Sequence, residues 1–199
     1  MPHKLGILLS GRGSNFLAIA QACRERRIDA EIAIVISNRA DAPGIARARD
    51  MGLNARAIPS KGRVREEHDA EVVRALRQSG AELVCLAGYM RLLSPEFVRA
   101  FPNRILNIHP SLLPAFPGLD AQKQALEYGV KFSGCTVHLV DEHLDHGPII
   151  VQRTVPVLCT DDEHTLADRI LAQEHIAYTE AINLMLTGPE ITGRCVRFR

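Results

Sequence analysis

Two side chains able to do chemistry, an amide and an imidazole, stand two residues apart near the middle of the chain. Asn107 and His109 lie in Arg104 to Gly118, which reads Arg-Ile-Leu-Asn-Ile-His-Pro-Ser-Leu-Leu-Pro-Ala-Phe-Pro-Gly. Ile105, Leu106 and Ile108 give its opening the apolar character of a strand. Side chains at i and i+2 of a strand share a face, so an amide and an imidazole are expected side by side. Pro110 lacks the N–H that a sheet ladder needs and ends the strand there. The pair thus falls at a strand end, where an open α/β sheet usually holds its ligand. Pro110, Pro114 and Pro117 stiffen the exit, as suits a wall of a site.

A second group of chemically able residues is Asp141-Glu142-His143-Leu144-Asp145-His146-Gly147, preceded by His138. Three readings are open on spacing alone. One is a metal site, although His143 and His146 stand three apart on a loop rather than four apart on a helix. Another is a carboxylate that works on His109, since a buried carboxylate beside an imidazole stabilises its charged form. The third is a solvated hairpin turn.

A third group is the turn Gly11-Arg12-Gly13-Ser14-Asn15, after the apolar run Leu5 to Ser10. From Phe16 to Arg27 the apolar residues Leu17, Ile19, Ala20 and Cys23 recur at helical spacing. Strand, glycine turn and helix N-terminus together make a cradle for a phosphate. The same residues also read as a tight turn in which Ser14 or Asn15 caps the helix and no ligand binds. They do not make a dinucleotide fingerprint. Phe16 occupies the third glycine position, and the second strand, Glu31 to Ser37, ends at Asn38-Arg39 without a carboxylate. A nicotinamide cofactor is therefore not expected.

The elements that must position these groups alternate. Strands are predicted at Leu5 to Ser10, Glu31 to Ser37, Leu53 to Ile58, Leu83 to Ala87 and the start of the Arg104 stretch. Helices are predicted at Phe16 to Arg27, Asp41 to Gly52, Arg65 to Ser79, and from Ser94-Pro95 to just before Pro102. Such alternation argues for a Rossmann-like, doubly wound, mostly parallel sheet with helices on both faces. Beyond Gly118 the pattern changes. After a helix at Asp120 to Tyr128, strands at Ser133 to Val140 and Gly147 to Val157 are expected to pair antiparallel. Thr160-Asp161-Asp162-Glu163 then caps a long helix running to about Leu186. The end, Gly193 to Arg199, is short and basic. One domain spanning 1–199 is expected, with the halves meeting near residue 105.

The 199 residues are 46% hydrophobic and 24% charged, with a formal charge of +1. This is ordinary soluble composition and gives no general argument for a nucleic-acid or membrane partner. The start, Met1-Pro2-His3-Lys4, carries no secretory h-region, so a cytoplasmic location is expected. The five cysteines, Cys23, Cys85, Cys135, Cys159 and Cys195, are scattered without a Cys-x-x-Cys pair. Buried reduced thiols are expected rather than disulfides or a zinc site.

Four strings occur together and in this order: Ser10-Gly11-Arg12-Gly13-Ser14-Asn15, Ala87-Gly88-Tyr89-Met90-Arg91, Asn107-Ile108-His109-Pro110-Ser111-Leu112-Leu113-Pro114 and Leu144-Asp145-His146-Gly147-Pro148. With them, from about Lys4 to Gly188, the chain resembles the phosphoribosylglycinamide formyltransferase family of folate-dependent enzymes. The resemblance implies transfer of a formyl group from 10-formyltetrahydrofolate to the amine of glycinamide ribonucleotide, in purine synthesis. It implies Asn107, His109 and Asp145 as the catalytic three. Gly13, Ser14 and Asn15 would hold the nucleotide phosphate, and Gln173 and Glu174 its glycinamide end. Folate contacts would come from Arg65, from Met90, Arg91, Leu92 and Leu93, from Asn107, and from Asp141, Glu142, His143, Leu144 and Asp145. No metal is called for, because an amine acceptor needs no Lewis acid. That moves the reading of the acidic loop to the carboxylate partner.

Met90, Leu92 and Leu93 suit an apolar slot for a pteridine, or else ordinary core. Two positions depart from the family text: His146, where a small residue is usual, and Asp120 to Lys123, where more histidine is expected. The rival readings are a formyltetrahydrofolate hydrolase, with water as acceptor, and a non-catalytic phosphate or nucleotide-binding module. The partners expected are small molecules, with the chain a monomer or homodimer. Pro59 to Val64 and Phe116 to Asp120 are the candidate loops for movement on folate binding.

Overall fold

The apolar run of β1 (His3–Leu9) is buried from Leu5 onward because it is an inner strand of a mostly parallel, seven-stranded sheet. The computed structural model describes residues 2 to 198. Met1 and Arg199, the first and last residues of the domain read from the sequence, lie outside the described residues. The chain packs as two compact units, one ending at Asn107 and the other starting at Ile108.

The first unit continues with α1 (Ser14–Arg24), β2 (Ala30–Ser37), α2 (Pro43–Asp50), β3 (Ala55–Ala57), α3 (Arg65–Gln78), β4 (Leu83–Leu86), α4 (Pro95–Ala100) and β5 (Ile105–His109), whose last two residues belong to the second unit. Its strands lie in the order β3-β2-β1-β4-β5 and run parallel. The order turns back after β3. Right-handed crossovers then put α1 and α2 on one face and α3 and α4 on the other, the doubly wound arrangement that the alternation predicts. The switch point falls between β1 and β4, so the loops after these two strands are neighbours. The register pairs Leu86, the last residue of β4, with Asn107.

Side-chain hydrogen bonds fix the loops at that end of the sheet. Ser10 Oγ donates to Asn38 Oδ1 at 2.6 Å and accepts from the Met90 N–H at 2.8 Å. Asp69 on α3 is 1% exposed and accepts the Ser94 N–H at 2.6 Å. Beside it His68, fully buried, lies 3.2 Å from the other Asp69 oxygen and 2.8 Å from the Ile58 carbonyl. The segment between Met90 and Ser94 is thus held at both ends by buried polar groups. Ser94 in turn caps α4 by accepting the Phe97 N–H, with Pro95 at the first helical position, as the sequence predicts.

The second unit holds α5 (Ala121–Tyr128), β6 (Phe132–Leu139), β7 (Ile149–Pro156), α6 (Glu163–Leu186), β8 (Glu190–Thr192) and β9 (Cys195–Arg197). The expected antiparallel pair forms from β6 and β7, with a register shift between Val137 and His138. Asp162 caps α6 in a capping box with Thr165. Asp161 instead takes two hydrogen bonds from Arg169, at 2.7 and 2.8 Å. No described helix is long and apolar enough to cross a membrane.

The structure corrects several expectations. The first helix starts at Ser14 and ends at Arg24, and its N-cap is Gly13. Ser14 and Asn15 are inside the helix, so neither is the cap. Gly13 has φ +74°, and an added Cβ would press on Leu9 and Phe16 at 3.3 Å, so only glycine suits that position. The basic C-terminal end holds an antiparallel hairpin, β8–β9, that the sequence pattern does not predict. Its strands of three residues are too short for a period-2 signal to stand out. Of the cysteines, only Cys85 and Cys135 are buried, while Cys159 and Cys195 are exposed. Burial pushes the Cys23 thiol up to about 11, and burial with the Glu174 charge pushes Cys135 up to about 12, so both are inert near neutrality.

Asp69→Ala should lower stability by about 1–3 kcal/mol, because the Ser94 N–H is left buried without its acceptor. Asp69→Asn, which keeps an acceptor oxygen, should recover part of it. Equal melting temperatures for wild type and Asp69→Ala would contradict this role. A second expectation concerns acid. The Arg169 hydrogen bonds, then the Leu158 N–H, hold Asp161 well below the usual carboxylate range. A depressed carboxylate contributes stability above its unfolded value and loses it as pH falls through the folded one. The stability difference between wild type and Asp161→Asn, read by urea denaturation, should stay flat from about pH 5 to 8 and shrink only below about pH 4. A difference that faded near neutrality would contradict the assignment.

Candidate active site

β5 ends at His109, which is buried, while Asn107 two residues earlier is half-buried on the same strand. The chain then turns through Pro110 to Gly118, and this turn is pinned to β6 and β7. Thr136 Oγ1 donates to the Ser111 carbonyl at 2.7 Å and accepts the Leu113 N–H at 3.0 Å. Gln152 Nε2 donates to the Leu113 carbonyl at 2.9 Å. The turn brings the Phe116 carbonyl to 2.8 Å from His109 Nε2. A carbonyl only accepts, so Nε2 carries a hydrogen, and Nδ1 is the ring nitrogen directed elsewhere.

Nδ1 faces Asp145, whose Oδ2 is 3.4 Å away. Both side chains are nearly closed to solvent, 6% exposed for His109 and 7% for Asp145. Asp145 adopts φ +48°, in the left-handed region, which aspartate tolerates better than most residues. Its Oδ2 also accepts the Gly118 N–H at 2.9 Å, and its Oδ1 lies 3.7 Å from His138 Nε2. Burial acts to raise the Asp145 carboxyl, but the His138 hydrogen bond, the Gly118 N–H and the charges of His109 and His138 outweigh it and hold the group below its ordinary value. Of the three readings open for the acidic loop, the structure brings Asp145 to His109 as the carboxylate reading requires, while Asp141, His143 and His146 gather separately and outward.

His138 is the residue that spacing missed in this role. Its Nδ1 lies 2.8 Å from the Leu139 carbonyl, so that nitrogen donates and Nε2 is left for Asp145. It stands at the register shift of β6 against β7, a device that re-aims side chains in a sheet. Its place within the strand predicted at Ser133 to Val140, rather than in the loop, is the signal the sequence offers, and in the structure it is 2% exposed. Gly147, which returns the chain to β7, has room for no side chain: a Cβ there would fall 1.9 Å from the Leu139 carbonyl oxygen.

The remaining expected residues fall at several places. Gly13, Ser14 and Asn15 form the turn into α1, with Gly11 and Gly44 bonded across its base at 3.0 Å and no acidic residue in the first helical turn. This leaves the positive end of the α1 dipole unopposed by its own helix. Arg65 is exposed at the start of α3 and pairs with Glu66 at 3.3 Å. Met90 and Leu92 are 73% and 57% exposed, so they are not core; Arg91 and Leu93 are half-buried. Glu142, His143 and Leu144 are exposed, and Asp141 is partly covered. On α6, Glu174 is buried and Gln173 half-buried.

The chain matches the Formyl transferase family over residues 3–182. It is 43% identical over 183 residues to the phosphoribosylglycinamide formyltransferase of Escherichia coli (strain K12), covering 92% of this chain and 86% of that protein. The solved structure of glycinamide ribonucleotide transformylase 1 from Symbiobacterium toebii aligns with a TM-score of 0.96 at 53% identity, over 99% of this chain and 94% of that one. The trifunctional purine biosynthetic protein adenosine-3 of Drosophila pseudoobscura pseudoobscura is 49% identical over 188 residues. There the match takes in 93% of this chain but spans only 14% of the longer relative. Identity at this level along nearly the whole chain, with the same fold, means that the chain belongs to the formyl transferase family, among the phosphoribosylglycinamide formyltransferases.

Proposed function

We propose that the chain transfers the formyl group of 10-formyltetrahydrofolate to the amine of 5'-phosphoribosylglycinamide, giving N-formylglycinamide ribonucleotide and tetrahydrofolate in purine biosynthesis. The observation that carries the reading is the buried Asp145 carboxylate 3.4 Å from the His109 imidazole, in a chain of this family.

In the proposed reaction the amine nitrogen attacks the formyl carbon, and the carbonyl oxygen becomes an oxyanion. Asn107 donates an amide N–H to it. His109, protonated on both nitrogens and held by Asp145, donates from Nε2. The Phe116 carbonyl, which now takes that hydrogen at 2.8 Å, occupies the acceptor's place and gives way to the oxyanion. Collapse of the intermediate breaks the bond to the folate nitrogen. Asp145 helps the proton pass from the attacking amine to that leaving nitrogen. The acceptor is an amine that attacks directly, so no step runs through a metal.

Gly13, Ser14 and Asn15 are proposed to hold the nucleotide phosphate at the start of α1, where the backbone N–H groups and the positive end of the helix dipole favour an anion. Gln173 and Glu174 are proposed to meet the glycinamide end. Arg65, Met90, Arg91, Leu92 and Leu93, with the loop from Asp141 to Asp145, are proposed to bind the folate. The exposed Met90 and Leu92 side chains are apolar surface that a flat ring can cover. By residue number the proposed phosphate contacts fall in the first half and the catalytic three in the second, while the proposed folate contacts come from both and the glycinamide contacts from the second. The working unit is proposed to be a cytoplasmic monomer or homodimer.

The direct test follows absorbance on mixing the chain with 10-formyl-dideazafolate and glycinamide ribonucleotide. Deformylated folate should appear only when the ribonucleotide is present. Release without it would replace this reading with hydrolysis. In the same assay Asn107→Ala and Asp145→Ala should each lose at least about 100-fold in turnover, the scale of a single oxyanion-site contribution, with an unchanged circular dichroism spectrum. Turnover near wild type in either variant would contradict the assigned roles.

A further inference from the structure

The carboxylate of Asp145 uses neither of the other titratable side chains that flank it in sequence. His143 and His146 gather instead with Asp141 on the outer side of the loop. One ligand atom from each of the three lies within 4.8 Å of the others. Asp141 Oδ2 is 2.7 Å from His146 Nδ1, and Asp141 Oδ1 is 3.9 Å from His143 Nδ1. A tetrahedral zinc with bonds of about 2.0–2.1 Å separates its ligand atoms by about 3.3 Å, so shifts of roughly 1 Å would seat an ion here. Two imidazoles and one carboxylate, all reached from solvent, form the ligand set of an exchangeable site with an open fourth position.

We propose that Asp141, His143 and His146 form a binding site for a divalent transition-metal ion such as Zn2+, distinct from the His109–Asp145 pair but sharing Asp141 and His143 with the loop proposed to bind folate. Leu144 and Asp145 lie between two of its ligands, so an ion would fix the backbone segment that carries Asp145.

A third partner makes the site conditional. Arg194, in the turn between β8 and β9, has Nη1 at 2.9 Å from His146 Nε2. A guanidinium only donates, so Nε2 must accept, and the hydrogen of the neutral ring sits on Nδ1 and is given to Asp141. A metal on Nδ1 requires the ring to exchange tautomers through solvent, and Nε2 then carries the hydrogen and can no longer accept. A metal on Nε2 takes the same lone pair that Arg194 uses. Either way, coordination by His146 ends the Arg194 contact and releases the β8–β9 turn from the loop. Arg194 and the ion therefore compete.

Calorimetric titration of the full chain with Zn2+, and visible absorption with Co2+, test this without any enzymatic readout. Both are done in a non-chelating buffer near pH 7.5, and failure of the proposed acyl transfer would leave these results unaffected. One ion per chain should bind. His143→Ala and His146→Ala should each weaken binding at least tenfold, while Arg194→Ala should tighten it by about twofold or more. His164→Ala, at an exposed histidine on α6, should leave it unchanged. Cys159→Ser and Cys195→Ser should also leave it unchanged, since both exposed thiols lie outside the ligand set. Binding that survives both loop-histidine variants, or that disappears with either cysteine variant, would overturn the site. Unchanged affinity in Arg194→Ala would overturn the competition.

Discussion

A carboxylate kept ionised in a nearly dry place is the constraint around which the second unit is arranged. The Asp145 side chain is 7% exposed, and an isolated buried charge is costly. The fold meets that cost with three groups aimed at one side chain: the Gly118 N–H at 2.9 Å, the His109 ring at 3.4 Å and the His138 ring at 3.7 Å. Each comes from a different stretch. The turn after β5 supplies Gly118, the strand end supplies His109, and β6 supplies His138. The left-handed backbone of Asp145 and the glycine at 147 let the loop bend tightly enough to bring the carboxylate inward.

The orientation of His109 follows from the same arrangement. Its Nε2 is committed to a backbone carbonyl, and its Nδ1 faces the carboxylate. Thr136 and Gln152 hold the turn that supplies this carbonyl, and both are on the β6–β7 pair. A site built this way relies on rigid strands for its aim and on one turn for its freedom to change. In the first unit the same division holds. Ser10 and Asp69 fix the two ends of the Met90 to Ser94 segment, while Met90 and Leu92 between them stay open to solvent.

Much of this was legible in the residues. Period and punctuation placed β1 to β5 and α1 to α4 within a few residues, because parallel strands covered on both faces read as continuous apolar runs. Pro110 and the i, i+2 spacing placed Asn107 and His109 at a strand end. Local rules failed where a tertiary contact decides. Ser14 and Asn15 look like caps, but the position that must turn left-handed is Gly13, since a Cβ there meets Leu9 and Phe16. The three-residue strands of the C-terminal hairpin carry too little pattern to be seen. The acidic loop was ambiguous because spacing cannot say which carboxylate turns inward. By spacing alone Asp141 and Asp145 are equal; the family resemblance singles out Asp145, and in the structure the inward turn of the loop separates them. His138 was counted with the loop histidines, although its strand directs it at Asp145 instead.

The central claim is that His109 and Asp145 act as one unit. A double-mutant cycle on kcat/KM, with His109→Ala, Asp145→Ala and the pair together, measures that coupling directly. The account predicts that the double variant is hardly worse than the more damaging single one, because removing either partner already disables the unit. Losses that simply multiply would show two independent groups and contradict it.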